Sequence, residues 1–188
     1  MALFRNSVRV GQSPPFTIPR SGQWVKHYSV NNTTTHTFTN QILIAIPVPV
    51  QEPMSVAALG VYVQAAVALS TIRLGIYAPD PANYWNAGTL LIDGGTIDSS
   101  TTGDKTLVIT STQVQPPFIW LAAVALGTGV GTQRNNTGNL PTDNASNAFG
   151  NYPSALQHNA SVAAGLPTTF SDNSRPFIGS PVLCYRRA

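Results

Sequence analysis

Three histidines, seven carboxylates and one cysteine hold nearly all the conventional chemistry of this 188-residue chain. His27, His36 and His158 show no H-x-x-x-H spacing and have no cysteine partners. His27 and His36 can meet across a hairpin, but two imidazoles without a third ligand make a poor metal site, so they read as solvated or hydrogen-bonded strand residues. The acids are Glu52, Asp80, Asp93, Asp98, Asp104, Asp143 and Asp172, and most sit in turn contexts such as Pro79-Asp80-Pro81, Asp93-Gly94 and Gly103-Asp104. Turn closure by the carboxylate explains them better than a glycosidase pair does. Asp93 and Asp98 flank one turn and could bind Ca²⁺ together with backbone carbonyls; turn formation is the simpler reading of both. Gly127, Gly129 and Gly131 follow a strand, but the third glycine comes one residue early for G-x-G-x-x-G. The sequence RNNTGNLPTDN that follows cannot open a helix to receive a pyrophosphate. No G-x-S-x-G elbow and no Ser-His-Asp set stands out. The single Cys184 excludes an intrachain disulfide framework and a thiolate zinc cluster, and reads as a small apolar residue of the last strand. The expectation is a protein with no catalytic residue, no metal and no cofactor.

Recognition chemistry is the alternative, and aromatic residues carry it. Tyr84 and Trp85, beside Asn86, lie in a proline-rich loop. Exposed there, they would stack on sugar faces or anchor a protein interface; buried, they would cap the end of the core. Arg134, Tyr152 and His158 occupy a second polar segment that an outward-facing site would use. Trp24 and Trp120 fall in strand-like runs and read as core.

The surrounding composition narrows the function class. Charged residues make up 9% of the chain, against about 25% in ordinary soluble domains. Thr, Ser, Asn and Gln must therefore supply the polar surface, which suits a crowded assembly or an extracellular shell, and such a chain tends to associate. The net charge of +3 is spread from Arg5 to Arg187, with no basic stripe of the kind phosphate contacts need, so nucleic acid is not an expected partner. The longest apolar stretches, 42–50 and 118–126, are about half the roughly 20 residues that a membrane-spanning helix requires. The first residues lack the apolar core of a secretory signal, so the sequons at Asn31, Asn135, Asn144 and Asn159 carry no glycosylation inference.

The elements that must position these groups are strands. Residues 71–126 hold four apolar or alternating runs separated by Gly, Pro and Asp turns. In 71–77, Ile72, Leu74 and Ile76 share one face. A second run starts at Thr89 and is expected to break at Asp93, Gly94 and Gly95. A third covers 105–110, and the continuous apolar run 118–126 predicts a strand covered on both faces. Upstream, 24–30 alternates as a first strand. Residues 37–50 form a long β-rich stretch whose Pro47 and Pro49 suit an edge or a strand end. Residues 54–68 favour strand with a turn near Gln64. Residues 1–22, with Arg5, Arg9, Phe16, Arg20 and three prolines, read as an extended assembly arm or a frayed terminus. Residues 127–176 form a long loop-rich excursion that folds back on itself or on a neighbour, and 177–188 return as a closing strand. Short strands at this spacing predict one all-β domain over 23–188, an antiparallel β-sandwich.

The series RLGIYAPD, GTLLIDGGTID, STTGDKTLVI and PPFIWLAAVA resembles a β-sandwich domain of tail-fibre and other virion-surface proteins of tailed bacteriophages. Ile119 stands where that family has a tyrosine, and Gln115-Pro116-Pro117 replaces its Pro-Gly turn. The resemblance extends from Trp24 to the C-terminus, more weakly outside the four runs. It implies a jelly-roll-like sandwich and a non-enzymatic structural or receptor-binding role in a tail fibre, tip or baseplate. It also implies a homotrimer made in the host cytoplasm and carried on the particle exterior, contacting other virion proteins and a host surface glycan or protein. The alternatives are a capsid-exterior decoration or head-fibre protein, and a stand-alone carbohydrate-binding module. A capsid-forming jelly roll would need a more basic arm than three arginines provide.

Overall fold

The computed structural model describes residues 20–26, 35–83, 86–133, 156–159, 162, 164–170, 175–176 and 181–188. Among these residues it is all-β and contains no helix, as the alternating patterns require. The strands are β1 (Trp24–Lys26), β2 (Thr35–Thr37), β3 (Ile42–Pro49), β4 (Met54–Ala65), β5 (Thr71–Pro79), β6 (Ala87–Asp98), β7 (Gly103–Val114), β8 (Phe118–Leu126), β9 (Gly131–Gln133), β10 (Leu156–Asn159), β11 (Arg175–Pro176) and β12 (Leu183–Arg187). They form two antiparallel sheets of six strands each.

Three strand pairs nest inside one another: β3 with β8, β4 with β7, and β5 with β6. The chain is thus a long hairpin, tipped at residues 80–86, that rolls up so its successive pairs fall in alternate sheets. The back sheet runs β11-β10-β3-β8-β5-β6, with β8 paired to both β3 and β5. In the front sheet β4 has β7 on one side, while β12 and β9 share the other end to end, flanked by β1 and β2.

Period-2 alternation fills the space between the sheets. Ile72, Leu74 and Ile76 of β5 meet Leu59, Val61 and Val63 of β4 in one cluster, together with Ile119, Leu121 and Ala123 of β8. The other face of β8 turns Trp120, Ala122 and Val124 outward into a second apolar cluster. The unbroken apolar run 118–126 therefore is a strand covered on both faces, and Trp120 is core at 1% exposure.

Pro47 and Pro49 sit where their missing donors cost nothing. The Val50 N–H bonds Pro117 O just before β8, so the amide positions of the alternate residues 47 and 49 face away from β8, and on that side β10 reaches only Ala45.

Several expected boundaries move. Strand β6 does not break at Asp93–Gly95 but bulges: Leu74 pairs with Gly95 and Gly75 with Asp93, leaving Gly94 extra, and Gly95 takes φ +94°. Strand β4 runs through Gln64, and its turn falls at residues 66–70, where Leu69 has φ +62° and is 98% exposed. The stretch 37–50 divides into β2 and β3 around Gln41, also at φ +62°. Strand β7 is twice as long as the run 105–110 suggested, because Thr-rich 110–114 continues the ladder on β4. Of the first strand expected at 24–30, β1 covers Trp24–Lys26, and 27–34 lie outside the described residues.

Candidate functional site

Of the residues singled out by sequence, Tyr84, Trp85, Arg134, Tyr152, Arg5, Arg9 and Phe16 lie outside the described residues. Arg20 is exposed and opens a tight turn, its carbonyl accepting from the Gln23 N–H at 3.0 Å. Asn86 serves the hairpin tip: its N–H donates to Asn83 O at 2.8 Å and its carbonyl accepts from the Asp80 N–H at 2.9 Å. Asp80 closes the same loop by accepting from the Ala82 N–H. His158 is half-buried on β10 with its ring 5.6 Å from that of Phe170, and burial lowers its pKa. Asn86 therefore organises backbone and His158 belongs to a packed layer.

That layer covers the outer face of the back sheet. Val162, Leu166 and Phe170 join Leu43, Ala45, Tyr77, Trp120, Ala122, Val124 and Leu156 of the sheet in one buried cluster. The excursion thus folds back on the sandwich itself. Its return is pinned by polar contacts: the Leu166 N–H donates to Asp93 Oδ2 at 2.9 Å, Tyr77 OH to Pro167 O at 2.8 Å, and the Leu90 N–H to Thr168 O at 2.8 Å. A bridge between Thr89 and Thr169 adds the strap to the free edge of β6. Burial, reinforced by the Asp93 carboxylate, pushes the Tyr77 phenol far above its usual range.

Asp93 is the anchor of the strap. Oδ2 also accepts from Arg73 Nη1 at 2.6 Å, and Oδ1 accepts from the Gly95 N–H inside the bulge. Asp98 turns to Ser100, whose side chain and N–H both donate to it and hold its pKa below the usual carboxylate range. No group of three or more His, Cys, Asp or Glu with metal-binding geometry occurs among the described residues.

The outer face of the front sheet carries a groove of about 360 Å³. Its residues come from five strands, β1, β12, β4, β7 and β9, and from Val182 just before β12. Tyr62 faces Asp104 across β4 and β7, and Gly60 faces Thr106 on one side and Cys184 on the other. Gly60 forms the floor because it has no side chain. A Cβ there would lie 2.7 Å from Cys184 Sγ and 3.0 Å from Cζ3 of Trp24, so the indole of β1 reaches across β12 to lie over β4. The Arg186 guanidinium sits 5.8 Å from the Trp24 ring centroid and helps hold it. Gln133 and Val182 line the groove as well, and Lys105 Nζ donates to Thr101 Oγ1. Trp24 is 40% exposed and Tyr62 42%.

Trp24, expected in the core, is thereby corrected to a surface residue: its neighbour Val25 is the one that packs against the inter-sheet cluster. Tyr62 was not anticipated at all. Alternation shows that Trp24 and Val25 point to opposite faces but does not say which face is inward, and the one cue was the glycine embedded in the apolar strand 54–65.

No protein-family model matches this chain, and no curated protein is detectably similar to it.

Proposed function

We propose that this chain is a non-enzymatic structural component of a tailed-bacteriophage virion, a tail fibre, tip or baseplate protein carried on the particle exterior. The observation that carries the reading is that the four runs resembling virion-surface domains are β5 to β8, four consecutive strands of the rolled hairpin. The nested pairing supports a jelly-roll-like description of the sandwich. The surface favours assembly: charged residues are 9% of the chain, so few ions need desolvating at a contact. Homotrimerisation, contact with other virion proteins and display of the tip loop around Asn86 belong to the same reading. A capsid-exterior decoration or head-fibre protein is the alternative placement. A carbohydrate-binding module is a second reading, favoured by the aromatic groove of the front sheet.

The test is immunogold labelling of particles made from the genome that encodes the chain. Gold at the tail supports the reading, gold on the capsid shifts it to the alternative placement, and unlabelled purified particles overturn it. Light scattering coupled to size exclusion, with and without residues 1–22, tests the trimer: a monomer in both cases removes it.

A further inference from the structure

We propose that the groove on the front sheet is a binding site for a neutral saccharide, with Trp24 and Tyr62 supplying the ring-stacking surfaces. The inference rests on reading this face as a recognition surface, and it names the ligand class. A pyranose offers an apolar C–H face to an aromatic ring and a rim of hydroxyls to hydrogen-bonding groups. The groove combines the two aromatic side chains with Asp104 and Thr106, both exposed on β7, and Gln133 at the end of β9. Its volume of about 360 Å³ lies at the lower end of small-molecule sites, roughly 300–1,000 Å³.

Three features make this more than a patch of exposed apolar surface. The lining side chains stand on paired strands, apart from Val182 just before β12, so little order must be gained on binding. Gly60 leaves room for the floor, and the Arg186 guanidinium sits over the indole ring and braces it. The charge is selective too: Asp104 stands directly opposite Tyr62, while the nearby ammonium of Lys105 is directed to Thr101. An acidic sugar would meet the carboxylate, whereas a neutral one gains an acceptor for its hydroxyls.

The experiment is a tryptophan-fluorescence titration of the full chain with cellotriose, maltotriose, mannotriose, N-acetylchitotriose and, as the acidic control, sialyllactose. A saturable change with at least one neutral sugar at millimolar concentration is expected, and it should persist in Trp85→Phe and vanish in Trp24→Phe. Tyr62→Ala and Asp104→Ala keep the reporter, should retain the wild-type unfolding midpoint, and should each weaken binding at least about tenfold. The proposal is overturned by no response from any neutral sugar, by a response that survives Trp24→Phe, or by a preference for sialyllactose. It is also overturned if a peptide of residues 12–20, whose prolines suit an aromatic groove, displaces every sugar. Labelled particles without sugar binding would sink this proposal alone; sugar binding without labelled particles would sink the virion placement alone.

Discussion

The two outer faces of this sandwich are built by the same alternation and end in opposite states. On the back sheet the outward residues of β8 are Trp120, Ala122 and Val124, all buried beneath the chain's own strap. On the front sheet the outward residues of β4 and β7 are Gly60, Tyr62, Asp104, Thr106 and Val108, and Val108 is 72% exposed. The difference lies in the strands before any cover arrives. A strand apolar on both faces must bury both, whereas one that is mixed outside can meet water and present side chains to a partner.

The largest test of that contrast is a pair of truncations. Phe170 is 5% exposed and meets Tyr77 edge to face at 5.4 Å. Phe170→Ala should cost about 3–5 kcal/mol in urea unfolding, from lost burial and the cavity left behind. Tyr62, 42% exposed, gives up far less contact, and Tyr62→Ala should stay within about 0.5 kcal/mol. Equal losses would mean the front face is as buried in solution as the back.

Next in size is the anchor of the strap. Asp93→Ala leaves the Leu166 N–H and the Arg73 guanidinium, whose side chain is 15% exposed, without their acceptor. The expected cost is about 1–3 kcal/mol. Amide exchange should accelerate first at Leu166, Leu90 and Phe170, because those amides tie the strap to the sheet, while β4 and β12 stay protected. Uniform acceleration across both sheets would show that the cover is not a separate layer.

Two glycines sharpen the comparison at smaller scale. A Cβ on Gly75 would collide with Leu166 Cδ1 and lie 2.8 Å from the Ile92 carbonyl oxygen. Backbone cannot swing away, so Gly75→Ala should lose about 1–3 kcal/mol by overpacking. At Gly60 the two closest atoms are side-chain atoms of Cys184 and Trp24 on an open face. Gly60→Ala should therefore cost less stability and show mainly as a changed Trp24 fluorescence. The reverse ranking would break the covered-versus-open distinction.

The sequence made the strands legible because burial imposes period 2, and 118–126 even declared its double coverage. The turns were less legible. Asp93-Gly94-Gly95 contains breaker residues, yet the cross-strand ladder tolerates one extra residue as a bulge, and the carboxylate that sequence assigned to a turn also holds a segment 73 positions away. The groove was hidden for a different reason. Trp24, the pair Gly60 and Tyr62, and Asp104 are far apart in sequence and meet because β12 inserts between β1 and β4 while β7 pairs with the other side of β4, pairings that no local pattern encodes. The loop aromatics Tyr84 and Trp85 were visible for their composition alone.

The smallest effect concerns pH, and it again separates the faces. His158 lies on β10 of the back sheet, beside Phe170 of the cover, and burial holds its pKa below the ordinary histidine value. The unfolded chain therefore binds a proton before the folded one does. Between the ordinary value, about 6.5, and the lower folded value, stability must fall as pH falls, and it levels off only below the folded pKa. Unfolding midpoints measured from neutral pH downward should show this decline, and His158→Gln should remove that part of it while leaving the neutral-pH midpoint close to wild type. Saccharide binding at the front groove should not follow the same titration, since no histidine is among the described residues that line it. A groove affinity that tracked His158 would couple the two faces through the inter-sheet core and end their description as independent surfaces.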